Sequence, residues 1–417
     1  MKNLLLLFAL ILSGSCTSNK NRIYEWRGEG RTGIYQESNL LKEWPENGPP
    51  EIRAIENIGN GFGSPTFTDT HFFITGEIDT IATLFCFNLD GEKQWQTEIG
   101  REWTKTLPGS RSTPTIVDNL VYTVTGMGNL FCVDIREGEI IWSKGFTEDA
   151  EGIPTMHGYT EAPVIDGDKV FWTPGGKEYN VAGLNRFTGE LIWYNKGFSE
   201  RSGYNQGKLI ELPDRNIFVT FSAYHMMGFD AGTGEMLWAH EQDNLTLEER
   251  ILGMGDTHCN AVLFEDGYIY YAAGDGNGGV KLALSEDGSE ITEVWRNKGF
   301  DGYMGGIVKI DNYLYGTGTV KPELRAINAA TGELTDSLSL GSGTIIAADE
   351  MLYYYSQKGT MYLLGYDNGK IHEVSSFRIT KGSREHFSHP VINKGILYQR
   401  HGDVLVAFDI RRLNKGE

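Results

Sequence analysis

One phrase recurs along this chain, and its spacing limits the fold more than any other property. Residues 130–142 read "LFCVDIREGEIIW", preceded by "LFCFNLDGEKQW" (84–95) and followed by "VAGLNRFTGELIW" (181–193) and "MMGFDAGTGEMLW" (226–238). Each copy runs from an apolar stretch to Asp or Asn, then a Gly-containing turn, then an apolar pair that usually ends in Trp. The Asp/Asn position returns at Asn88, Asp134, Asn185, Asp230, Ser285, Asn328, Asp367 and Asp409, in steps of 46, 51, 45, 55, 43, 39 and 42 residues. A period in the forties carrying only β-type alternation indicates a propeller with four strands per blade.

The strands are legible within one unit. "STPTIVD" (112–118) is extended, "LVYTVTG" (120–126) alternates apolar with polar, and "LFCVDI" and "EIIWSKGF" follow across short turns. First strands begin near residues 63, 112, 161, 206, 259, 305, 343 and 388, which makes eight blades. Fourth strands number only seven, the last two, "ELTDSLSL" and "IHEVSSFRI", lacking the Trp. The chain runs out after "VLVAFDIRR" (404–412), while "EIRAIENIG" (51–59) precedes the first full set. The expected fold is therefore an all-β, eight-bladed β-propeller of four-stranded antiparallel blades, with an N-terminal strand completing the last blade. Closing the ring removes the free edges that invite aggregation. Only "NLTLEER" (244–250) shows a modest helical period.

Two readings compete for the repeated carboxylates. As catalytic acids they would be spread around the rim, one per blade. As turn residues they supply local hydrogen bonds beside a permissive Gly, and the recurring Trp95, Trp142, Trp193, Trp238 and Trp295 pack between blades. The structural reading is favoured. Gly, 53 of 417 residues, is enriched as many tight turns require. The formal charge of −19 argues against nucleic acid, whose binding needs a basic footprint.

The N-terminus "MKNLLLLFALILSGSC" has a lysine, an apolar core from Leu4 to Leu12, small residues and then Cys16. That is the layout of an export signal. The small residues before Cys16 resemble a bacterial lipoprotein box, although Ser13 stands where that box usually has Leu. The resemblance implies residues 1–15 as signal peptide and Cys16 as the lipidated N-terminus. The repeat puts one propeller at residues 51–412 and leaves residues 16–50 as tether and extension. The box implies an outer-membrane lipoprotein facing periplasm or cell surface, the alternative being a plain secreted protein with a cleavage site nearby. Cys86, Cys132 and Cys259 remain; an odd number, two at equivalent repeat positions, favours free thiols over disulfides.

The "TGELIW" and "TGEMLW" phrases resemble the pyrroloquinoline-quinone-like propeller repeat. The likeness extends to "EWRGEGRTG" (25–33), "RSTPTI" (111–116), "TPGGKE" (173–178) and "FSHPVI" (387–392). Relatives of this kind include quinoprotein dehydrogenases and the lipoprotein of the outer-membrane β-barrel assembly machinery. The first would imply pyrroloquinoline quinone with calcium, the second a protein partner and no cofactor. The adjacent-Cys pair common in the dehydrogenases is absent here.

In a propeller the segments leading into the first strands converge on one mouth of the axial channel. Those segments carry Arg111, His157, Tyr159, Glu161, Tyr204, Asn205, Gln206, His258, Asn260, Tyr303, Arg384, His386 and His389. Such convergent polar groups suit a small ligand. Glu161 with His157, or His386 with His389, would supply a general base or a metal-ligand pair. The structural alternative is that they satisfy one another and the strand ends. "GDGNGGVKLALSE" (274–286) resembles a calcium loop but has Val280 at the loop position that needs Gly. No HExxH, GxSxG or zinc-type Cys cluster is present. These readings leave a tethered binding or scaffolding module, a quinone-dependent oxidoreductase of alcohols or sugars, and a small-ligand or carbohydrate binder.

Overall fold

A computed structural model describes residues 22–149, 151–242 and 245–412. The export signal and Cys16 lie outside these residues. Eight sheets, each built on an antiparallel four-stranded blade, follow one another around a ring, as the repeat count requires. The first seven blades are contiguous in sequence, from Thr66–Arg101 in blade 1 to Gly343–Arg378 in blade 7. Blade 8 takes three strands from Val391–Asp409 and its outermost strand, Glu51–Ile55, from the N-terminal side. Glu51 pairs with Phe408 and Ile55 with Leu405, so the ring closes as the missing fourth strand demanded. Among the described residues, helix is confined to Phe146–Asp149 and single 3-10 turns, one of them at Leu247–Glu249 inside the expected helical stretch.

The repeat phrase proves to be one interlock between neighbours. Asp134 Oδ1 accepts the amide of Arg136 at 2.8 Å, Asn185 that of Phe187 at 2.9 Å and Asp230 that of Thr233 at 2.9 Å. These are side-chain-to-backbone turns, so the carboxylates do structural work. The glycine that follows each has positive φ, and the preceding blade's Trp lies over it. A Cβ at Gly189 would lie 2.8 Å from Trp142, and one at Gly234 2.5 Å from Trp193. Each indole N–H then donates to a carbonyl of the next blade: Trp142 to Arg186 at 2.9 Å, Trp193 to Ala231 at 3.1 Å, Trp295 to Ala329 at 3.1 Å. A large apolar ring with one donor is suited to this seam, because area and hydrogen bond are both satisfied. In blade 6, where Asp336 stands at the Trp position, Thr335 beside it donates to Gly369 O.

One arrangement goes beyond the sequence reading. Blades 2 and 7 each carry a fifth, innermost strand, Ile23–Tyr24 and Ile34–Tyr35. Ile23 pairs antiparallel with Val117, whereas Ile34 runs parallel to Ala347. Residues 22–35 therefore enter the axial channel, reverse, and leave by the face they entered. Arg27 and Arg31 hold this hairpin in place. Arg31 donates to Ala162 O, Gly207 O and Pro163 O at 2.8–3.0 Å and to Glu25 Oε2 at 2.7 Å. Arg27 donates to Ile307 O at 2.7 Å, to Ile345 O at 2.8 Å and to His389 Nδ1 at 3.0 Å. The two guanidiniums thus tie the hairpin to blades on both sides of the axis.

Candidate functional site

The two faces of the ring are unlike. Inner strands run away from the long connections that precede them, so the first-to-second and third-to-fourth hairpins share one face, of tight turns. The other face carries the connections between blades, including residues 101–114, 151–163 and 245–262. At its centre lies a pit of about 450 Å³. Gly63, Thr113, Gln206, Cys259, Gly305 and His389 line it, each just ahead of an inner strand. This convergence is what the topology of a propeller imposes.

The pit is blind. Trp26, at the tip of the N-terminal hairpin, is buried against Ala162 and Ala261 and forms a T-shaped contact with His389 at 5.0 Å. Phe62, Tyr204, Tyr303 and Phe387 add aromatic wall, with Leu107, Met156 and Met304 between them. Met156 belongs to an exposed apolar rim that continues through Ile251, Leu252 and Met254.

The polar lining is sparse. Arg111 donates to Gly109 O at 2.7 Å, Thr106 O at 3.2 Å and Leu107 O, and lies 5.4 Å from the Phe62 ring centre. Burial pulls its guanidinium below the ordinary arginine range, with Glu102 opposing. His157 bonds Thr106 through Nδ1 at 3.0 Å, and burial and then Arg111 lower its pKa. Because arginine can only donate, His389 Nδ1 is an acceptor and the ring is neutral; burial and Arg27 both hold it well below the usual histidine value. Arg27 itself is pulled down to about 10 by burial. Gln206 donates to Thr160 O at 3.0 Å. Tyr303 OH accepts from Gln357 at 3.0 Å. Asp275 Oδ2 accepts from Gly255 N and Thr257 Oγ1, each at 3.0 Å.

Of the residues singled out from sequence, Arg111, His157, Tyr204, Gln206, Tyr303 and His389 come together at this pit. The rest do not line it. Tyr159 is buried with its hydroxyl on Pro174 O at 2.7 Å. Glu161 accepts from Asn205 and from Thr173 N at 3.2 Å inside the wall, and burial raises its carboxyl to about 7. Asn205 also bonds Thr173 and Thr220. His258 stacks on Phe221 at 4.8 Å and bonds Ala223 O at 3.0 Å. Asn260 spans Ala272 O and Gly302 O at 2.8 and 2.6 Å. Arg384 is exposed, and His386 stacks on His401 at 3.8 Å with its pKa lowered to about 4 by burial. The suggested Glu161–His157 and His386–His389 pairs thus have separate partners. Trp26, Phe62, Cys259 and Phe387 were not singled out, although "EWRGEGRTG" and "FSHPVI" contain two of them.

All three described cysteines are free, and burial pushes each thiol up to about 12. Among the described residues, no three His, Cys, Asp or Glu side chains gather into a metal site. Asn277, in the calcium-like segment, is fully buried and accepts from Arg296 at 2.5 Å. No described helix is long and apolar enough to cross a membrane.

Comparison with known proteins agrees with this architecture. The family model for outer membrane protein assembly factor BamB matches residues 82–335. The quinoprotein alcohol dehydrogenase PedH of Pseudomonas putida is 21% identical over 350 residues, 81% of this chain and 51% of the relative. The quinoprotein ethanol dehydrogenase of Pseudomonas aeruginosa is 23% identical over 253 residues, 60% of this chain and 32% of the relative. The chain thus spans about half of the one and a third of the other. BamB from Moraxella catarrhalis superposes with a TM-score of 0.60 at 14% identity, covering 88% of this chain and 98% of that one. A europium-containing methanol dehydrogenase gives 0.65 at 11% identity, covering 91% and 90%. At these identities the solved structures speak to fold alone. With its family model matched over more than half the chain and all eight blades in place, this protein belongs to the BamB family of pyrroloquinoline-quinone-like propellers.

Proposed function

We propose that this protein is an exported, membrane-tethered binding module whose loop face and axial pit engage a partner or small ligand. The observation that carries the reading is the blind pit: 450 Å³, floored by Trp26, mainly apolar, with Arg111 as the one lining cation among the described residues. A largely preformed apolar cavity with few polar groups is the usual form of a small-ligand site. Aromatic walls beside one guanidinium favour a compact apolar ligand bearing a single anionic group. Lipidation at Cys16 and an outer-membrane location are supported by the lipoprotein-like box and by the family's described role in outer-membrane protein assembly.

The test is a thermal-shift and calorimetric screen of aromatic and aliphatic monocarboxylates, with membrane pull-down for protein partners. Binding that Arg111→Met weakens about tenfold or more, the scale of one lost charge-assisted contact, supports the reading. A screen with no ligand and a pull-down with no specific partner would sink it.

A quinone-dependent oxidoreductase is the second reading, favoured by the dehydrogenase relatives and the aromatic floor. The donor set does not fit a metal-bound quinone. Asp275 is engaged by Gly255 and Thr257, Glu161 is turned into the wall, and His389 accepts from Arg27. No redox step follows from these residues. Addition of pyrroloquinoline quinone and calcium, read by absorbance and by alcohol-dependent dye reduction, separates the two readings.

A further inference from the structure

The placement of the N-terminal hairpin fixes which face of the ring a tether can reach. Arg22 pairs with Asp69 at 3.5 Å, in the turn that joins the first two strands of blade 1. Ile23 lies opposite Val117, the last residue of blade 2's inner strand. On the way out, Glu37 accepts the amides of Lys394 and Gly395, at 2.7 and 3.0 Å, in the equivalent turn of blade 8. Both legs therefore cross the turn face, and the pit opens on the opposite side.

We infer that the ring hangs from the bilayer with its turn face toward the membrane and its pit and loop face toward the aqueous compartment. This rests on the lipid-tether reading above. Residues 17–21 separate Cys16 from Arg22. Six chain steps reach at most about 20 Å when fully extended. The outer strand Lys93–Arg101 alone has 9 residues, about 30 Å of height at ~3.3 Å per residue. A path from the turn face out to the rim and over to the loop face exceeds that reach.

Charge keeps the ring off the bilayer rather than flush against it. The first-to-second-strand turns of seven blades carry Asp69, Asp118, Asp168, Asp214, Asp266, Asp311 and Glu350, against Arg215 in blade 4 and Lys394 in blade 8. Several occupy positive-φ positions that acidic turn residues tolerate, such as Asp118, Asp266 and Asp311. Whatever their local purpose, they make one face acidic. Anionic headgroups repel it within a Debye length, about 8 Å at physiological salt. The pit's ligand accordingly arrives from water, and the apolar rim at Ile251, Leu252 and Met254 is not buried in the anchoring bilayer.

The test uses the full-length lipidated chain in phosphatidylcholine vesicles containing a headgroup quencher, in a Cys259→Ser background. A dye is placed at Asn119→Cys on the turn face or at Val320→Cys, which is 83% exposed on the loop face. Quenching should be several-fold stronger at position 119 than at 320. Equal or reversed quenching would overturn the orientation. Adding phosphatidylglycerol at low salt should weaken quenching at 119, and salt should restore it; a strengthening would overturn the stand-off. Flotation with vesicles, abolished by Cys16→Ala, checks the tether separately. Its failure would remove the premise and with it the inference.

Discussion

Replacing Arg31 with Met should open the axial hairpin while leaving the ring folded. Arg31 makes four hydrogen bonds, three to carbonyls just ahead of the inner strands of blades 3 and 4 and one to Glu25. Met keeps much of the apolar stem but none of the donors. Four charge-assisted bonds at ~1.5–3 kcal/mol would sum far too high, because the buried cation's desolvation is recovered on substitution. The net cost of removing one partner of such a buried set is about 3–5 kcal/mol. Because the hairpin's strands are two residues each, that cost should fall on local opening. At 1.36 kcal/mol per decade, amide protection over residues 22–35 should fall about 10²- to 10⁴-fold. Protection in the buried strand Asn216–Phe221 should not change. Native-state hydrogen exchange reads both at once. A uniform loss of protection would mean that the hairpin is part of the ring's cooperative unit. Unchanged protection at 22–35 would refute the claim that Arg31 anchors it.

Three further outcomes follow from the geometry. Gly167 and Gly189 both have positive φ, but only Gly189 faces a Trp. Gly167→Ala should cost about 1–2 kcal/mol of backbone strain, and Gly189→Ala ~1–3 kcal/mol more from overpacking against Trp142, compared by urea midpoints; equal shifts would break the interlock argument. Glu161 titrates near 7 in the folded protein because of burial, above its ordinary value. The folded state then binds more protons between about pH 4.5 and 7, so stability falls as pH rises through that window, on the order of 3 kcal/mol; a flat profile, or one unaltered in Glu161→Gln, would contradict this. Finally, Cys86 and Cys132 should resist a thiol reagent in the native protein while Cys259, in the pit wall, reacts slowly and is protected by any pit ligand; fast reaction of Cys86 or Cys132 would refute the burial pattern.

The ring was legible because its instructions are local and repeated. The Asp/Asn–Gly turn and the Trp that covers the next blade's glycine recur in order, and a missing fourth strand calls for Glu51–Ile55. The hairpin was not legible for the opposite reason. "EWRGEGRTG" reads as a polar turn, and nothing local reveals that Arg27 will meet carbonyls at Ile307 and Ile345 or that Arg31 will meet Gly207. The pit was half legible. Position before an inner strand predicted Arg111, Gln206 and His389, but alternation within those segments turned Glu161 and Asn205 into the wall. The floor could not be read from the repeat, because Trp26 lies outside it.

The central claim is that the chain's own N-terminal hairpin closes the channel and floors the pit. A photo-crosslinking residue in place of Trp26, followed by peptide mapping, tests it most directly. Adducts should fall on peptides containing Ala162, Ala261 and His389, which surround Trp26 from three separate blades. Adducts confined to neighbouring residues or to the outer turns would contradict it.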